Sequence, residues 1–153
     1  MQSSPAQPAA FPYVYPKSRY EPAPPVDLNS REARERLSQS ALKGFFKLCE
    51  AWKLREDDAR ELLGGPSKSA FYEWKRSPDR LLEVDRITRI SYLLGIYKSL
   101  HIIYGDKLAD EWVSLPNRNI IFKGSSPLAY MLAGGMPAMQ TVRKLVDARR
   151  GGL

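Results

Sequence analysis

Residues 82–104 read LEVDRITRISYLLGIYKSLHIIY. Ile87, Ile90, Leu94 and Tyr97 recur at three- and four-residue steps and form one apolar stripe. Leu93, Ile96, Leu100 and Ile103 form a neighbouring one. A helix apolar over so wide an arc is expected to be central, touching other helices on two sides. The segment therefore predicts an all-α fold in which one long helix joins two helical halves. No period-two run longer than a few residues occurs elsewhere in the 153 residues, so strands are not expected.

Upstream, helix signals begin at Ser30. Leu42, Phe45, Phe46, Cys49 and Trp52 follow the same helical spacing, and Cys49 on that face reads as a buried structural thiol. A short second helix fits residues 56–63, with Ala59, Leu62 and Leu63 inward, and Gly64-Gly65-Pro66 stops it. Ser67 can cap a third helix over residues 68–76, with Ala70, Phe71 and Trp74 on its inner side; Ser77-Pro78-Asp79 ends it. The second and third helices look like a helix-turn-helix. In that motif the second helix enters the DNA major groove with its N-terminal residues near base edges. The candidate DNA contacts are Ser67, Lys68, Ser69 and Tyr72, with Lys75 and Arg76 near flanking phosphates. Ala59 precedes Gly64 by five positions rather than four, and the turn is one residue long for the motif. A helix pair that only dimerises or supports the other half remains the alternative.

Downstream, Asp106 can cap a short helix through Trp112 and Val113, ended by Pro116-Asn117. The stretch from Asn119 to Gly124 reads as irregular, its apolar residues tucked under the helices. Ser126-Pro127 matches an N-cap and first-position proline of a helix through Leu132, broken at Gly134-Gly135. A last helix over about residues 137–149 places Met139, Val142, Leu145 and Val146 inward. Trp112 reads as core. The Gly-Gly pair lacks the following lysine of a P-loop.

The twelve prolines concentrate in the first 25 residues, so residues 1–29 read as a proline-rich flexible arm, with Phe11, Tyr13, Tyr15 and Tyr20 between the prolines. Either the arm docks these aromatics on a partner or it lies loosely. The net charge is +7, and the last thirty residues carry Arg143, Lys144, Arg149 and Arg150 against the single acid Asp147. Such a surplus favours a polyanion or an acidic protein surface. The single cysteine excludes an internal disulfide. No stretch approaches the apolar run of about 18 residues that a transmembrane helix needs, and a signal peptide is not apparent. A cytoplasmic setting is expected. His101, the only histidine, has no evident partner for a base or metal role, and Glu56, Asp57 and Asp58 suit a helix start. Neither an enzyme nor a cofactor is expected.

Trp112, Pro116-Asn117, Phe122, Gly124, Pro127-Leu128, Gly134 or Gly135, Val142, Leu145 and Gly151 follow one another over about forty residues. In this order they resemble the toxin-binding domain of the Xre/MbcA/ParS antitoxins of bacterial type II toxin–antitoxin pairs. With the helix-turn-helix, the resemblance covers nearly everything outside the arm. It implies an Xre-like DNA-binding region over residues 30–104 and a toxin-binding domain over residues 105–153. It also implies a homodimer that represses its operon by binding operator DNA. The implied protein partner is a RES-domain toxin, which consumes NAD⁺ or transfers ADP-ribose, and whose active-site entrance the antitoxin covers. Carried onto this sequence, the toxin-facing residues would be Pro127, Leu128 and Met131, then Arg143, Lys144, Arg149, Arg150 and Gly151. Met136-Pro137 departs from the family pattern, as does the long arm. A free-standing helix-turn-helix regulator, using its C-terminal half to dimerise, is the alternative.

Overall fold

A computed structural model of the chain describes residues 27–152. The proline-rich arm therefore lies outside the described residues except for a turn over residues 27–29. Six helices follow: α1 (Arg31–Ala51), α2 (Glu56–Leu62), α3 (Lys68–Arg76), α4 (Val84–Ile103), α5 (Asp106–Glu111) and α6 (Pro127–Gly151). Two single 3₁₀ turns, Trp112–Ser114 and Ile120–Phe122, lie between α5 and α6. Among the described residues there is no strand, and none of the helices is long and apolar enough to cross a membrane.

Local chemistry sets most of these boundaries. The hydroxyls of Ser30, Ser67 and Ser126 accept from the backbone amides of Ala33, Ala70 and Ala129, three residues on, which satisfies donors that the first turn leaves free. Pro127 occupies the first turn of α6, where its missing N–H costs nothing. The expected cap at Asp106 is displaced by one residue: Gly105 holds the N-cap position and makes no side-chain bond, while Asp106 sits in the first turn, where a carboxylate favours the helix dipole. The expected break at the glycine pair is a kink. Gly135 takes φ 67, ψ −149 inside α6, and Pro137 follows in the first turn of the second arm.

The long helix is central. α4 packs most extensively against α6 on one side and α1 on the other. Ile90, Leu93, Ile96 and Leu100 are fully buried. The core continues without a gap from Leu42, Phe45 and Leu48 of α1, through α4, to Met139, Val142 and Val146 of α6. Buried Ser38 fixes the start of α4: its hydroxyl accepts from the Leu82 amide at 2.9 Å and donates to the Arg34 carbonyl. A further tie runs between α4 and α6. The Ser99 hydroxyl donates to Asp147 Oδ1 (2.6 Å), and Arg143 Nε donates to Asp147 Oδ2 (2.8 Å). The Arg143 guanidinium lies over Gly95, where any Cβ would collide with it, and reaches the Ser91 carbonyl at 3.3 Å.

Candidate functional site

α3 is held by one face and open on the other. Phe71 packs edge-on against Phe46 of α1 at 5.3 Å, and Trp74 lies under the guanidinium groups of Arg86 and Arg80 at 5.1 and 5.6 Å. Both aromatic side chains are buried. The turn between α2 and α3 needs left-handed backbone at Gly64 (φ 93) and Gly65 (φ 74). Two arginines fasten it: Arg86 donates to the Leu63 carbonyl (2.8 Å) and Arg60 to the Pro66 carbonyl (3.2 Å). The angle between the two short helices is thus set by contacts from α1, α2 and α4.

On the outward side the structure brings together all six residues expected to meet DNA. Ser67, Lys68, Ser69, Tyr72, Lys75 and Arg76 are exposed. Lys68, Lys75 and Arg76 make no ion pair among the described residues. Tyr72 is less free than its exposure suggests, because its hydroxyl donates to Glu56 Oε2 at 2.9 Å. That bond, more than any other influence, raises the pKa of the phenol. Tyr72 therefore ties α3 to α2 as well as facing outward. Arg60 donates to Asp57 at 2.8 Å and holds its carboxyl below the ordinary value. The acidic start of α2 is in this way partly neutralised beside the basic face.

The second candidate surface is changed by the structure. Met131 is fully buried and Pro127 is buried, so both serve the core rather than a partner. Arg143 is engaged within the chain by Asp147 and Ser91. The resemblance carried these three residues over by position together with their exposed neighbours, and position in the sequence does not say which side of a kinked helix faces α4. Lys144, Arg149 and Gly151 are exposed, and Leu128 and Arg150 are half-buried. The landmark aromatics are scaffold, as expected: Trp112 meets Phe122 edge-on at 6.2 Å, and Phe122 meets Tyr130 at 5.3 Å.

Two features escaped the sequence. His101 has partners after all: Nδ1 lies 3.0 Å from Asp106 and Nε2 2.8 Å from Asp110, with the Tyr97 ring tilted against it at 4.2 Å. Burial, then the charges of Asp110 and Asp106, raise the Tyr97 phenol. The spacing gave no signal, because the chain turns at Tyr104-Gly105 between the histidine and both acids. Ile120, expected under the helices, is instead 86% exposed. Among the described residues no cluster of histidine, cysteine and carboxylate has the composition to hold a metal ion.

No family model matches the chain. Over 112 residues it is 38% identical to uncharacterized protein y4oB of Sinorhizobium fredii, a match that covers 72% of this chain and 84% of the relative. The chain belongs to the same family as that Sinorhizobium protein.

Proposed function

We propose that the protein is the antitoxin of a type II toxin–antitoxin pair, without catalytic activity or cofactor of its own. It binds operator DNA as a homodimer through a helix-turn-helix formed by α2 and α3, and a RES-domain toxin through residues 105–153. The observation that carries the DNA half is the two-sided character of α3. Phe71 and Trp74 fix it from within, while Ser67, Lys68, Ser69, Lys75 and Arg76 face solvent together. The toxin half is supported by the order of landmarks from Trp112 to Gly151 and by their packing as one aromatic scaffold.

The DNA reading has a quantitative test. Each lost phosphate contact lowers the slope of log affinity against log salt by roughly one unit. Lys68→Ala and Arg76→Ala are expected to weaken binding to the promoter of the chain's own gene and to lower that slope; unchanged affinity and slope reject α3 as the reader. The toxin reading is tested by co-expression with an adjacent RES-type reading frame. Relief of NAD⁺ depletion is the expected result, and persistent depletion rejects it.

A second reading has its own support. The burial of Met131 and Pro127 and the inward pairing of Arg143 remove three residues from the toxin-facing set. That thins the surface assigned to the toxin and leaves a free-standing helix-turn-helix regulator, its C-terminal half used to dimerise, as the second reading. Operator binding without any complex with a RES-domain protein would select this reading.

A further inference from the structure

Ile120 stands apart from the other apolar residues of the C-terminal unit. It belongs to the apolar run Ile120-Ile121-Phe122, yet it is 86% exposed while Phe122 is buried. An exposed isoleucine in a loose loop needs no explanation, but this turn is held at every side. The Asn117 side chain accepts from the Asn119 amide at 2.9 Å, and the Asn119 side chain accepts from the Ile121 amide at 3.1 Å. The Asn117 amide donates to the Ser125 carbonyl (3.1 Å), and the Ser125 hydroxyl donates to the Phe122 carbonyl (2.7 Å). Phe122 pins the turn between Trp112 and Tyr130. Lys123 is held at φ 49, ψ 39, a left-handed conformation disfavoured for any residue with a Cβ. The chain thus builds a rigid, partly strained support for a side chain that contributes nothing to its own core.

The flanking charges indicate what meets it. Arg118 and Lys123 are both exposed, and neither makes an ion pair among the described residues. DNA bound along its phosphate backbone would use the cations and leave the isoleucine in water. A protein surface can use both.

We infer that Ile120 is the apolar anchor of a protein–protein interface, with Arg118 and Lys123 at its edge. The partner is a folded protein offering an apolar pocket rimmed by carboxylates. The inference rests on the reading of residues 105–153 as toxin-binding, and it moves the principal contact to the turn over residues 116–125, away from the buried Pro127 and Met131. An anchor held in place before binding forfeits little conformational freedom on association. Buried apolar anchors surrounded by a polar rim carry most of the energy of such interfaces.

The test uses the full chain and the purified product of the adjacent RES-type reading frame, titrated in a calorimeter. Ile120→Asp is expected to weaken the complex by about thirtyfold or more, and Ile120→Val by only a few-fold. Charge reversal at Arg118 and Lys123 should slow association and reduce its salt dependence. Leu81→Asp, an exposed apolar position on the other side of the chain sequence, should leave affinity unchanged. A wild-type complex that tolerates Ile120→Asp overturns this inference and leaves the antitoxin reading standing. Failure of the wild-type chain to form any complex overturns both. Sedimentation of the chain alone supplies a further check: a homodimer dissociated by Ile120→Asp would assign the turn to self-association and overturn the inference.

Discussion

Single residues are decided by the groups they face. Cys49 lies on the inner side of α1, half-buried against the core, and burial pushes its thiol from 9.0 up to about 12. Lys75 nearby pulls in the opposite direction but does not prevail. The thiol is therefore neutral at pH 7, as its place on the apolar stripe predicts. Its folded-state pKa exceeds the unfolded one, so its contribution to stability is complete below about pH 9 and is lost as the pH rises toward about 12. Alkaline denaturation should consequently be shallower over that window in Cys49→Ala than in the wild type. Native protein should also react with a disulfide reagent far more slowly than protein in denaturant. Equal labelling rates in the two states would contradict the burial.

At the scale of the element, α6 is the informative case. Gly135 adopts φ 67, ψ −149, a region almost confined to glycine. A Cβ there would meet nothing within 4 Å, so substitution is opposed by the backbone and not by crowding. Gly135→Ala is expected to lose about 1–3 kcal/mol of stability, measured by urea denaturation. Gly151→Ala is the control, because that residue lies at the end of the same helix without left-handed backbone and has equally open space. Equal stability of both variants would mean that the kink is not maintained in solution. The glycine pair and the proline after it made the interruption of α6 legible in the sequence. The rotation of the second arm was not legible, because it depends on the two backbone angles that Gly135 adopts. That rotation turns Arg143 toward α4 and leaves Lys144 and Arg149 outside.

For the molecule as a whole, α4 is the shared wall of both halves, and the tie among Ser99, Asp147 and Arg143 crosses it. Ser99 is fully buried and donates to Asp147, whose side chain is 32% exposed like that of Arg143. The ion pair itself is therefore screened and contributes little. The Ser99 bond is the stronger element, since a buried hydroxyl left without its acceptor costs about 1–3 kcal/mol. Ser99→Ala and Asp147→Ala are expected to be non-additive in a double-mutant cycle, with coupling of roughly 0.5–3 kcal/mol. Additive effects would show that the two helices do not communicate through this bond. Because the core is continuous across α4, thermal unfolding monitored by Trp52 and Trp112 should give one transition.

The helices, their serine caps, the proline start of α6 and the apolar stripes that place α4 at the centre were determined by the sequence alone. Each depends on hydrogen bonds and periodicities that span only a few residues. The outward basic face of α3 was legible for the same reason, since Phe71 and Trp74 mark its inner side within one helical turn of the exposed residues. The tertiary structure alone decided that Arg143 turns inward over Gly95, that His101 meets Asp106 and Asp110, that Met131 belongs to the core and that Ile120 does not. These outcomes depend on which element lies opposite, a long-range property set by the packing of α4, α5 and α6, and no local spacing encodes it.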